Sequence, residues 1–179
     1  MQLPNDMHIE NTCFFTGHRF LSEEQKRLIY PALVQCILQM ADDGIRYFCN
    51  GGAIGFDLFS AQTVALLQRS RPADIHLVMT LPCRNQTDKW LNHGAAGAEN
   101  IRLYHAVKSQ AAAVVYIGDF YEPGCMQRRN QYMVDHSCRC ITYWNGATNG
   151  GTAQTVRMAK RAGLPIWNLF PAKQLSLEP

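Results

Sequence analysis

A chain of 179 residues, 47% hydrophobic and 17% charged, has the size and make-up of one packed globular domain. Its net charge of +3 gives no argument for a nucleic-acid partner, and its apolar runs are too short to span a bilayer. The opening residues MQLPNDMHIE lack the basic-then-apolar pattern of a signal peptide, so the expectation is a cytoplasmic protein with no membrane partner.

Six short apolar runs alternate with helical patterns. Residues 11–15 (NTCFF) read as the first strand. A helix follows, with Ser22 as N-cap and Gln25 completing a capping box. Leu28, Leu33, Cys36, Ile37 and Met40 form its apolar stripe, Pro31 is expected to kink or restart it, and Gly44 ends it. Residues 45–49 (IRYFC) are the second strand, and residues 56–68 are apolar almost all round, as a well-buried helix is. Residues 75–81 (IHLVMTL) make the third strand. The stretch 86–110 is expected to hold two helices separated by GAAGAE. Strands at 113–117 and 138–144, helices at 126–136 and 152–162, and a last strand at 165–169 complete the series. The tail after Phe170 is expected to be loosely held.

The strands are rich in Val, Ile, Phe, Tyr and Cys without clean alternation, which suits strands buried on both faces. Alternating strand and helix predicts a single α/β domain with its core at about 11–170. The architecture is a Rossmann-like three-layer α/β/α sandwich around a mostly parallel sheet of about six strands. Apolar helix faces make a homodimer the expected assembly. Seven cysteines, at positions 13, 36, 49, 83, 125, 138 and 140, include no C-x-x-C pair, so they read as reduced thiols and no metal site is expected.

In such sheets ligands sit outside the carboxyl ends of the strands, and chemistry-bearing residues gather in those loops. After the first strand comes Thr16-Gly17-His18-Arg19, where Gly17 allows a tight turn and Arg19 can clamp an anion. After the second comes Asn50-Gly51-Gly52-Ala53-Ile54-Gly55-Phe56-Asp57, a Gly-rich turn feeding a helix start, which suits phosphate. Asp57 either caps or braces this turn, the favoured reading, or accepts from a ribose hydroxyl. Arg84 follows the third strand. Arg128, Arg129 and Asn130 lie early in the helix after the fourth, and paired cations there call for a compensating anion. Gly150, Gly151 and Thr152 form a second phosphate-type turn after the fifth strand. The chain has twelve arginines against five lysines, and several fall at this one edge of the sheet.

The order TGHR after a strand, GGAIGFD before a helix, RRNQYMVDHS, then NGGT before a helix resembles the YpsA-like branch of the SLOG superfamily. That superfamily includes the LOG proteins, once labelled lysine decarboxylases, and the DNA-processing protein DprA/Smf. The likeness runs from about Cys13 to Leu169. It implies a Rossmann-like fold and a pocket for a nucleotide or an NAD- or ADP-ribose-like ligand, lined by Gly17, Arg19, Gly51, Gly52, Gly55, Asp57, Arg129, Asn130, Gly150, Gly151 and Thr152. LOG enzymes carry a Pro-Gly-Gly-x-Gly-Thr-x-x-Glu motif whose Glu serves catalysis. Here residues 149–156 (NGGTAQTV) contain no carboxylate.

The favoured expectation is therefore a sensor or binding protein for a small nucleotide-like ligand, with no certain cofactor. The alternatives are a nucleotide-processing hydrolase of phosphoribohydrolase or N-glycosidase type, with Asp57, Asp135 or His18 as weak catalytic candidates, and a DprA-like binder of single-stranded nucleic acid. Low net charge and few lysines set nucleic acid aside as unlikely. Tyr121, Tyr143 and Trp144 are candidates to stack on a base, with packing the more ordinary role.

Overall fold

A computed structural model describes residues 3–171, so the expectation for the tail beyond Phe170 falls almost wholly outside the described residues. Six strands form one sheet: β1 (Thr12–Gly17), β2 (Tyr47–Asn50), β3 (His76–Leu81), β4 (Ala113–Tyr116), β5 (Arg139–Tyr143) and β6 (Ile166–Asn168). Every pairing is parallel, and the order across the sheet is β4-β3-β2-β1-β5-β6.

Side-chain alternation sorts the strand residues onto two faces. Phe15, Phe48, Leu77 and Ile141 face one core, which is covered by α1 (Glu23–Asp42), α2 (Phe56–Ser70) and α3 (Gly94–Gln110). Phe14, Cys49, Val78 and Cys140 face the other, covered by α4 (Cys125–Asp135) and α5 (Gly151–Arg161). Burying each large apolar side chain contributes roughly 1.5–3 kcal/mol, and both faces of the central strands collect that gain.

Helix α1 starts with the expected reciprocal capping box between Ser22 and Gln25. It then runs unbroken through Pro31 for 20 residues. The exposed proline is accommodated because the buried stripe Ile29, Leu33, Ile37 and Met40 holds both halves against the sheet. The GAAGAE segment is not a spacer, since α3 begins at its Gly94 directly after a 3₁₀ turn over Asp88–His93.

The strand order places the site. The first four strands step outward from β1 in one direction, and β5 then returns to pair with the opposite side of β1. The loops leaving β1 and β5 therefore diverge, and a crevice opens between them at the carboxyl edge.

Candidate functional site

That crevice holds a hollow of about 290 Å³. The loop after β1 contributes Gly17, His18 and Arg19. The start of α2 contributes Asp57, the inward face of α4 contributes Arg129 and Asn130, and the start of α5 contributes Gly150, Gly151 and Thr152.

Each wall is tied to its neighbour. Thr152 Oγ1 donates to the Gly17 carbonyl at 2.8 Å, fixing the start of α5 against the end of β1. The Asn145 amide donates to His18 Nε2 at 3.0 Å, so His18 braces the β5–α5 loop through an unprotonated ring nitrogen. Asn130 Nδ2 donates to Thr155 Oγ1 at 2.7 Å, joining α4 to α5. Gly150, at φ 96°, begins α5 without a side-chain cap, so the positive end of that helix faces the hollow.

Arg129 and Asp57 form the floor. Their charged atoms approach to 3.7 Å, and both side chains are more than nine-tenths buried. Burial raises the Asp57 carboxyl to about 6, outweighing the opposing pull of Arg129, the Ala53 amide and Arg19. Burial likewise lowers Arg129 from its ordinary value despite Asp57. Arg129 Nε and Nη1 have no hydrogen-bond partner among the described residues. A buried, under-bonded guanidinium costs several kcal/mol of desolvation that its single carboxylate offsets only in part. Arg19 lies close enough to raise the positive potential on both groups. Two guanidinium groups and a helix N-terminus thus face one carboxylate, which leaves the hollow positive.

Other candidate residues sit elsewhere. Arg84 pairs with Asp119 at 2.9 Å and stacks on Tyr116, out at the β4 edge. Arg128 points away from the hollow, held by Glu122 at 3.0 Å. The paired cations early in α4 are thus each compensated by a carboxylate, Glu122 for one and Asp57 for the other. Asp135 lies at the far end of α4, exposed and bonded to Gln131. Tyr143 is buried against Phe56 and Phe170, Trp144 donates to the Ala147 carbonyl, and Tyr121 lies under Lys89.

The glycine turn before α2 acts from behind. The Phe56 amide donates to the His18 carbonyl at 3.0 Å, so the first amide of α2 is already taken by the neighbouring loop. Gly55, at φ 90°, is required there, because a Cβ would lie 2.3 Å from the Arg19 carbonyl oxygen. The Gly51 and Gly52 carbonyls accept from the buried Gln86 Nε2 at 3.2 and 3.0 Å. Buried Asn50 bonds the Asp57 carbonyl, Ser60 and the Gly52 amide.

Gln86 and Asn50, which set this turn, were not singled out from sequence, nor were Ala53, Met126, Met133 and Asn149, which also line the hollow. The helix period held part of the signal: Met126, Arg129 or Asn130, and Met133 are three or four apart on one face, a spacing that excludes Arg128. Among the described residues no group of acidic, His and Cys side chains is placed to hold a metal ion.

The YpsA family model, described as the YspA SLOG family, matches residues 16–168. The chain belongs to this family. Among the family's relatives, the uncharacterized SPbeta prophage-derived protein YoqJ of Bacillus subtilis is 25% identical over 145 residues, covering 73% of this chain and 80% of that protein. A UPF0398 protein of Staphylococcus aureus is 28% identical over 109 residues, covering 61% and 56%. Among solved structures, DNA processing protein A from Helicobacter pylori, described in its single-stranded DNA binding mode, superposes with a TM-score of 0.59 at 15% identity, over 92% of this chain and 66% of that one. A structural-genomics target, TM1055, gives 0.52 at 16% identity over 87% and 72%.

One expectation is thereby corrected. Net charge and few lysines set nucleic acid aside, yet the Helicobacter protein, whose fold superposes on 92% of this chain, is described binding single-stranded DNA. Net charge averages the entire surface and says nothing of how basic groups cluster locally. Among the described residues, no helix of this family member is long and apolar enough to cross a membrane.

Proposed function

We propose that this hollow binds one phosphate-bearing nucleotide, and that the protein acts as a sensor or binding protein for it. The reading rests on Arg129, a buried guanidinium whose Nε and Nη1 have no hydrogen-bond partner among the described residues while it lines the hollow beside an uncapped helix start. A phosphate group offers the missing acceptors, and Arg19 and the first amides of α5 complete its cradle. The volume lies at the small end of ligand pockets, roughly 300–1,000 Å³, which fits one nucleotide unit. Residues 149–156 supply no carboxylate for glycosidic chemistry, so binding is preferred to turnover.

Isothermal titration against nucleoside mono- and diphosphates tests this directly. At least one should bind with micromolar to millimolar affinity, and Arg129→Met should abolish binding. Folded protein that takes up no nucleotide at millimolar concentration excludes the reading.

A second reading follows from the Helicobacter neighbour: the phosphate seated here belongs to a single strand of DNA. Titration with oligo-dT across a salt series separates the two. Strand binding weakens steeply with salt as counterions are released, while a single mononucleotide shows a shallow dependence.

A further inference from the structure

We infer that this chain pairs with a second copy of itself, α1 against α1 about a two-fold axis, through a surface that also takes in Trp167. None of the residues involved lines the hollow, so the inference is independent of the ligand.

Helix α1 is about 30 Å long. From Leu28 to Ala41 it carries no charged residue. Its buried stripe accounts for Ile29, Leu33, Ile37 and Met40, but not for the outward side, where Leu28, Pro31, Ala32, Gln35 and Gln39 are exposed. Leu28 alone is 71% exposed. Helices α4 and α5 instead turn Arg128, Asp135, Arg157 and Lys160 to solvent, as an amphipathic helix does when its outer face stays wet. Depletion of charge is a mark of the centre of a protein interface.

A groove of about 250 Å³ runs beside this face, between α1 and β6. Ala32, Cys36 and Met40 line one side, and Trp167 and Leu169 the other. Trp167 is 39% exposed, on an end strand with a neighbour on one side only among the described residues. Arg139 joins the two sides: its guanidinium lies 5.5 Å from the centre of the Trp167 ring and 3.0 Å from Asp43.

The charges at the two ends of the face fit a second copy. Residues four apart form one ridge of a helix, and Arg27, Pro31, Gln35, Gln39 and Asp43 make such a ridge, all of them exposed. Arg27 makes no ion pair among the described residues. Asp43 bonds Arg139 yet keeps its side chain 41% exposed, open to a second cation. A two-fold axis at Gln35, the middle of the ridge, turns an identical α1 antiparallel to the first. Arg27 of each copy then meets Asp43 of the other, and the uncharged positions meet one another. The same rotation carries Leu28 toward the Met40 and Trp167 end of the opposite groove. A shallow crossing, about 20°, keeps the two helices together along their length. The contact closes on itself with two identical ion pairs, as an isologous dimer requires.

Sedimentation equilibrium of the full chain tests this. The wild type should be a dimer with a dissociation constant on the order of micromolar. Leu28→Asp, Arg27→Glu and Asp43→Lys, all at exposed positions, should each weaken it about tenfold or more. An equimolar mixture of Arg27→Glu and Asp43→Lys chains should restore the dimer, because each copy then meets an opposite charge at both ends. A merely unfolded variant gives no such rescue. A wild type that stays monomeric at about 100 μM overturns the inference. If that monomer dimerises once residues 172–179 are removed, the groove belongs to the chain's own end instead. A dimer indifferent to all three substitutions uses another face and overturns it equally, as does failure of the mixture to re-associate.

Discussion

Arg129 occupies the space that a side chain on Gly51 would need. Its Nη1 lies 1.2 Å from the position of a Cβ built on that glycine, and Asp57 Oδ2 lies 2.9 Å from it. The glycine is there to seat the guanidinium over its bare backbone, beside the carboxylate that balances it.

Gly51→Ala should therefore push Arg129 off Asp57. Separating a buried pair leaves each charge uncompensated, so the variant should lose about 3 kcal/mol of stability together with nucleotide binding. Thermal melts and titration calorimetry on the same preparation measure both. Unchanged binding would show that the seat is irrelevant to the ligand.

Asp57 gives the fold a pH signature. Its carboxyl, at 3.8 in an exposed setting, rises to about 6 through burial. The folded state then holds the proton more tightly than the unfolded chain. This group's contribution to stability is complete below about 3.8 and is lost as pH rises through about 6. Urea unfolding of wild type and Asp57→Asn between pH 4 and 7 isolates it. The stability difference, wild type minus variant, should fall by on the order of 2 kcal/mol over that interval, and a constant difference would refute the assignment.

The same titration reaches the ligand. Protonated Asp57 competes less for Arg129, so an anion should bind better below pH 6 than above it. A phosphodiester probe carries no titrating proton of its own near neutrality. Its affinity should fall severalfold between pH 5.5 and 7.5 in the wild type and stay level in Asp57→Asn.

The arginines divide sharply. Arg19→Ala should cost about tenfold or more in phosphate affinity, the scale of one charge-assisted hydrogen bond, with little change in melting temperature because Arg19 makes no ion pair among the described residues. Arg84→Ala removes an exposed pair with Asp119 and the stack on Tyr116, and Arg128→Ala an exposed pair with Glu122. Each should leave affinity unchanged and stability within about 1 kcal/mol. Loss of binding in Arg84→Ala would move the site toward β4.

Much of the fold was legible because apolar runs and helix caps are local signals. The six strands and the Ser22–Gln25 cap lie where the patterns put them, strand ends being offset by one or two residues at most. Pro31 was misread because tertiary support decides whether a proline stops a helix. The convergence of Gly17, Arg19, Asp57, Arg129 and Gly150–Thr152 followed from loops that leave parallel strands at one edge. What the loops alone did not show was sideways position along that edge. Arg84 follows β3 and lies two strands from the crevice, whereas Arg19 and Thr152 flank the β1–β5 gap itself. Gln86 was hidden because its role is to reach back to two carbonyls, a pairing that no spacing announces.

The contact between the His18 carbonyl and the Phe56 amide couples two parts that otherwise look independent. The loop that presents Arg19 to the hollow also holds the first amide of α2, and Asp57 rides on that turn. Through that one bond the position of the Arg19 loop is tied to the helix that carries the floor carboxylate, so the cation and the carboxylate of the hollow share one backbone strut.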